Sequence, residues 1–217
     1  MHSPPSQKDM KILEALYSSE KFSKLEIETK KLIKKYPNVP TLLNILGFAL
    51  HKQGHLSAAV INYEQAIFID PKFVFAHNNL GNVFKDLGKF NEAISKYQDS
   101  IKLNPNYAEA YYNQGLVYKK LYRYNKSIES FQHALKIKPR YLDAYFDLGQ
   151  ALVSVGQFEE AIKNFQKVID LKPDLSLAYN NIFFTLMYME KDNHNFFLSL
   201  AKKFRSSIKN IDKNLLL

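Results

Sequence analysis

Five prolines stand 34 residues apart, at Pro37, Pro71, Pro105, Pro139 and Pro173. Proline cannot continue a helix and pushes the residue before it toward extended backbone, so a periodic proline is periodic punctuation. An interval of 34 residues is the length of one helix–turn–helix unit, and it makes this 217-residue chain a stacked array in which each unit touches its neighbours. Length alone allows one domain or two. The unbroken period favours one elongated array, a class that generally binds other proteins.

With the proline as the thirty-second residue, regular units run over 40–73, 74–107, 108–141 and 142–175. The eighth position is Gly47, Gly81, Gly115 and Gly149, and the fifteenth is Gly54, Gly88, Tyr122 and Gly156, so all seven glycines fall in two columns. A glycine inside a helix costs about 1 kcal/mol against alanine, and its recurrence implies close approach of two helices. At the fifteenth position a left-handed residue ends the first helix. The small twentieth residue (Ala59, Ala93, Ser127, Ala161) is expected to face the eighth-position glycine. The aromatic twenty-fourth (Tyr63, Tyr97, Phe131, Phe165) is expected to fill the space between successive pairs, and the twenty-seventh is small or modest (Ala66, Ser100, Ala134, Val168).

The runs Leu80-Gly81, Gly88-Lys89-Phe90 and Glu92-Ala93, followed by Tyr97 and Pro105, resemble the tetratricopeptide (TPR) repeat family. Leu43, His77, Tyr111 and Tyr145 stand where that family usually has tryptophan. The resemblance covers four units, 136 of 217 residues. It implies an all-α TPR solenoid, a right-handed superhelix of antiparallel helix pairs. Residues 1–39 are expected to form a degenerate N-terminal capping repeat, with helices near 8–18 and 21–36 and Leu25 in place of the small residue. Residues 176–217 are expected to form a degenerate C-terminal repeat and capping helix, with Phe183 replacing the glycine. Beyond Lys191-Asp192-Asn193, Phe197, Leu200, Ala201, Phe204 and Ile208 recur at helical spacing, with Lys202, Lys203 and Arg205 on the polar side. A helix closing the last repeat is favoured over one lying on a membrane surface.

The same resemblance implies a protein-binding scaffold or adaptor that holds an extended peptide or partner in a concave groove lined by the first helix of each unit. The second, fifth, sixth, ninth and twelfth positions would face that groove. The fifth column reads Asn44, Asn78, Tyr112, Phe146 and Asn180; the sixth reads Ile45, Asn79, Asn113, Asp147 and Asn181. The ninth adds Asn82 and Gln150, the second Asp143, and the twelfth Lys85 and Lys119 as a mild positive patch. An asparagine amide both donates and accepts, so one per repeat would pair with the main chain of a peptide. Asn79, Asn113, Asp147 and Asn181 form the expected spine, with Tyr112 and Phe146 supplying apolar contact. Asparagine is common here, 18 of 217 residues, so some of the alignment is coincidence and some of these amides serve neighbouring helices. The layout resembles the asparagine ladder in the repeat region of protein O-linked N-acetylglucosamine transferases. A clamp for a C-terminal carboxylate is disfavoured, because Asp143 and Asp147 occupy the positions of its basic arm and would repel the ligand.

Composition narrows the alternatives. The net charge of +9 divides into +3 over residues 1–36, +3 over 37–189 and +3 over 190–217, and Lys outnumbers Arg 27 to 3, which disfavours a nucleic-acid stripe. No apolar run approaches the roughly 20 residues of a membrane helix. The absence of cysteine excludes disulfides and fits a cytoplasmic protein. No cofactor or metal is expected: His51 and His55 are separated by helix-ending Gly54, and the Asp143–Asp147 pair has no accompanying nucleophile or phosphate loop. The run Asn181-Ile-Phe-Phe-Thr-Leu-Met-Tyr188 resembles the junction that follows the repeats in transferases of the O-linked N-acetylglucosamine type. That resemblance implies a second reading, the substrate-recognition arm of a truncated or split transferase. Only 29 residues follow Tyr188, too few for a nucleotide-sugar domain, so the expectation is a chain that is not itself an enzyme.

Overall fold

The computed structural model describes residues 4–189, 196 and 198–205. Helices occupy α1 (Gln7–Ser18), α2 (Phe22–Lys35), α3 (Pro40–Lys52), α4 (Leu56–Ile69), α5 (Val74–Asp86) and α6 (Phe90–Leu103). They continue as α7 (Ala108–Lys120), α8 (Tyr124–Ile137), α9 (Leu142–Ser154), α10 (Phe158–Leu171) and α11 (Ser176–Met187), and residues 198–205 are again helical. The periodic prolines set the ends of the even-numbered helices. Each stops two residues before its proline, and the intervening residue is extended: Asp70 has φ −131° and ψ 91°, Lys172 φ −145° and ψ 87°.

Within a pair, the turn is closed by a left-handed residue at the fifteenth position. Gly54, Gly88 and Gly156 have φ of +80°, +73° and +77°, and Tyr122 and Glu20 adopt +57° and +53° in the same role. At Gly54 the next N–H, that of His55, reaches back to the Leu50 carbonyl at 2.9 Å while the Gly54 N–H bonds His51 O at 3.0 Å. This double bond pattern ends the helix and satisfies its last carbonyls. Tyr122 adopts the conformation without being glycine, at a cost of about 1–2 kcal/mol.

The chain forms two compact units, Met1–Ala110 and Tyr111–Leu217. In the first, α3 packs on α4 and α5 on α6, α1 on α2, and each pair on the next, while the first helices α3 and α5 also touch. Its core is built on Leu13, Leu25, Leu42, Tyr63, Leu80 and Val83. In the second, α9 packs on α10, α8 on α9 and α10 on α11, around Phe131, Phe165, Ile169, Tyr179 and Ile182. Leu200 is buried in that core, and Phe204 lies 4.7 Å from the Tyr179 ring, so helix 198–205 covers the last pair with its apolar face. Phe197 and Ile208 of the expected apolar face lie outside the described residues, as does Lys191-Asp192-Asn193.

The aromatic twenty-fourth residue lies on the eighth-position glycine of its own pair and also packs against the next: Tyr63 shares a core with Leu80 and Val83 of α5, and Phe165 with Tyr179 and Ile182 of α11. A Cβ on Gly81 would sit 2.6 Å from Cε1 of Tyr97, and one on Gly115 or Gly149 equally close to Phe131 or Phe165. The small twentieth residue does approach this glycine: Ser127 Oγ donates to Gly115 O at 2.9 Å. Where tryptophan is usual, His77 Nε2 donates to the Pro71 carbonyl at 2.9 Å, tying the start of one unit to the proline of the preceding one.

Candidate functional site

In the first unit, the odd-numbered helices place one turn after another beside a common hollow of about 250 Å³. Tyr17 reaches it from α1, Asn44, Ile45 and Phe48 from α3, and Phe75 and Asn79 from α5, with Tyr107 closing the set. The rings form two pairs. Tyr17 lies 4.7 Å from Phe48, and Phe75 meets Tyr107 edge to face at 5.4 Å. Between them Asn79 Nδ2 donates to Asn44 Oδ1 at 3.0 Å. That bond fixes both amides and leaves donor and acceptor capacity on the pair. Burial, with the nearby Glu109 carboxylate a smaller contribution, pushes the Tyr107 hydroxyl up to about 12, so it remains a donor across the physiological range.

Asn44 and Asn79, expected from the fifth and sixth columns, are therefore brought together. Asn78, also expected from the fifth column, is 4 % exposed, and its Nδ2 donates to Asn79 Oδ1 at 3.4 Å. Asn82 is occupied as well, since its Oδ1 accepts from the Tyr97 hydroxyl at 2.8 Å. Lys85 is half-buried, 4.0 Å from Asp86, whose carboxylate is also held by His51 at 2.7 Å.

In the second unit, Asp147 of α9 accepts from the Tyr112 hydroxyl at 2.8 Å and from Lys119 Nζ, which also donates to Gln150 Oε1 at 2.9 Å. Four of the expected site residues thus satisfy one another. Lys119 spends its charge on Asp147, which corrects its reading as a positive patch. Desolvation, reinforced by the Asp147 charge, drives the Tyr112 hydroxyl far above its ordinary range. Phe146 packs edge to face on Phe165 at 5.8 Å, and Asn113 is half-buried with a partner of its own. Asp143 and Asn180 are exposed, and Asn181 donates to Leu177 O within its own helix at 2.8 Å. The expected spine is locally bonded polar chemistry here, and no open ladder of amides runs through it.

Tyr17, Phe48, Phe75 and Tyr107 were not singled out by sequence. The signal was present for three: Phe75, Phe48 and Tyr17 occupy the second, ninth and twelfth positions of their registers, columns already assigned to the groove. Among the described residues no cluster of three or more His, Cys, Asp or Glu side chains could hold a metal ion. Among the same residues no helix is long and apolar enough to cross a membrane.

Comparison with known proteins agrees with this architecture. Models described as TPR repeat match residues 47–88 and 81–121, and one described as tetratricopeptide repeat matches 106–174. The protein ycf37 of Pyropia yezoensis is 35 % identical over 74 residues, 30 % of this chain and 42 % of that protein, so the match spans less than half of the relative. Among solved structures, MamA superposes with a TM-score of 0.65 at 28 % identity over 76 % of this chain and 97 % of that one. YrrB, described as a TPR protein with an unusual peptide-binding site, gives 0.66 at 22 % identity over 81 % and 90 %. PilF of Pseudomonas aeruginosa gives 0.79 at 12 % identity over 94 % and 90 %, a likeness of fold alone. Repeat matches that together reach from residue 47 to residue 174, on helices packed in pairs, identify this chain as a tetratricopeptide repeat protein with the TPR solenoid fold.

Proposed function

We propose that the chain is a scaffold or adaptor that binds an extended segment of a partner protein on the first-helix face, with the hollow of the first unit as the principal site. TPR repeats are generally protein-interaction modules. The observation that carries the reading is the bonded Asn44–Asn79 amide pair between exposed aromatic rings. Tyr17 and Phe75 are each 52 % exposed, and large rings on rigid helices lose little entropy on binding. The peptide-binding site named for YrrB adds a parallel on the same fold.

The test is a pull-down from source-cell lysate with the wild-type chain, a Phe75→Ala/Asn79→Ala double variant and an Ile61→Ala control. Ile61 is 63 % exposed on α4 and does not line the hollow. Partners retained by wild type and control and lost by the double variant support the reading. Equal recovery by all three removes it. A second reading, the recognition arm of an O-linked N-acetylglucosamine transferase-like enzyme, rests on the resemblances of the asparagine columns and of residues 181–188. In α11 that run leaves Phe184 and Met187 exposed, with Tyr188 exposed just beyond it. It requires a glycosyltransferase catalytic polypeptide among the recovered partners.

A further inference from the structure

The aromatic hollow of the first unit has a neighbour. Met10, Leu13, Glu14 and Ser18 of α1 line a second hollow of about 240 Å³, which shares Tyr17 and Ile45 with the first. Both are smaller than the roughly 300–1,000 Å³ of a small-molecule site. Each suits one side chain, and Tyr17 and Ile45 stand between them. The N-terminal repeat, expected only as a cap, thereby contributes to a binding surface.

Their chemistry differs. No Lys, Arg, Asp or Glu lines the aromatic hollow, so a charged side chain entering it would lose hydration with no counter-ion in return. What it offers is hydrogen-bond donors. Among the described residues, the hydroxyls of Tyr17 and Tyr107 and the Nδ2 of Asn44 donate to no protein group. The second hollow is largely aliphatic, with Met10 and Leu13 beside Ile45, and its one carboxylate, Glu14, sets it against acidic side chains.

Resting on the peptide-binding reading above, we propose that the two hollows receive an extended, uncharged segment, with a proline between the rings of Tyr17, Phe48, Phe75 and Tyr107 and an aliphatic side chain beside Met10, Leu13 and Ile45. A helical ligand bonds its own main chain and has little use for the amide pair. A proline-containing extended segment presents carbonyl acceptors, lacks an N–H at proline, and is already ordered before it binds. Those carbonyls are the complement of three open donors, and the compact apolar proline ring is the complement of aromatic walls.

A display library of short random peptides, selected on the full chain, tests this. The enriched sequences should carry a proline and an aliphatic residue at a fixed spacing and be depleted of Asp and Glu. A fluorescein-labelled copy of the most enriched peptide should lose affinity by about tenfold or more on Phe75→Ala, on Tyr17→Ala, and on replacement of its proline by alanine. Both rings are half exposed, so the variants should keep the wild-type circular dichroism and melting curve. A Met10→Ala variant should weaken the aliphatic preference and leave the proline preference intact. Enriched peptides that bind Phe75→Ala and Tyr17→Ala as tightly as wild type, or that carry an acidic residue in place of the proline, overturn this inference while peptide binding stands. A library that yields no enriched sequence removes the peptide-binding reading, and this inference with it.

Discussion

Gly81→Ala isolates the contact that holds a helix pair together. In an exposed helix this change would stabilise by about 1 kcal/mol through backbone entropy. Here the new Cβ would stand 2.6 Å from Tyr97 Cε1 and 2.9 Å from Cδ1. The ring has nowhere to go, because it is 0 % exposed and its hydroxyl is bonded to Asn82 at 2.8 Å. Overpacking a closed core costs about 1–3 kcal/mol, and a pinned ring places this site near the upper end. The net expectation is a loss of about 2 kcal/mol. A stacked array need not unfold as one unit, so urea unfolding by circular dichroism should be paired with amide exchange of α5 and α6. The double variant Gly81→Ala/Tyr97→Leu should be more stable than the sum of the single changes implies, with a coupling of about 1–2 kcal/mol. A Gly81→Ala chain as stable as wild type, or a cost that Tyr97→Leu does not relieve, would refute the account of this column.

Three further outcomes follow from neighbouring positions. The Tyr63 hydroxyl is buried with no partner, because Phe48 stands where Asn82 serves Tyr97; Tyr63→Phe should be neutral or stabilising, whereas Tyr97→Phe should cost about 1 kcal/mol in the same urea assay. Tyr122 holds φ +57° at a 79 % exposed turn, so Tyr122→Gly should raise stability by about 0.5–1 kcal/mol, and a loss would contradict the turn analysis. The Tyr107 hydroxyl is neutral in folded and unfolded chains below its ordinary value of 10.0; above it the unfolded chain ionises first, so stability should decline from pH 10.0 toward about 12. Comparing alkaline unfolding of wild type with Tyr107→Phe checks this, the variant showing the shallower decline.

The architecture was legible because its determinants repeat. A proline that stops a helix and a left-handed residue that closes a turn act locally, so Pro71 or Gly54 announces its role from position alone. The site was less legible because its properties belong to neighbours. Asn78 and Asn79 are adjacent and identical in type, yet one is closed into the packing and the other bonds Asn44; only the helix rotation separates them. Asp147 reads as an open acidic wall until Lys119 and Tyr112 are seen bonded to it from a different helix. Tyr17, Phe48 and Phe75 are hard to read from sequence because an aromatic residue at helical spacing is equally compatible with a core. Here half of the Tyr17 and Phe75 surface remains open.

The most direct test of the central claim is site-specific photo-crosslinking from a benzophenone amino acid placed at Phe75, compared with one at Phe68 of α4, which is 86 % exposed and does not line the hollow. The account predicts that a partner peptide, identified by mass spectrometry, attaches at position 75, not at 68, and that Asn79→Ala abolishes the attachment. Attachment at 68 with none at 75 would place the partner on another face and contradict the groove reading.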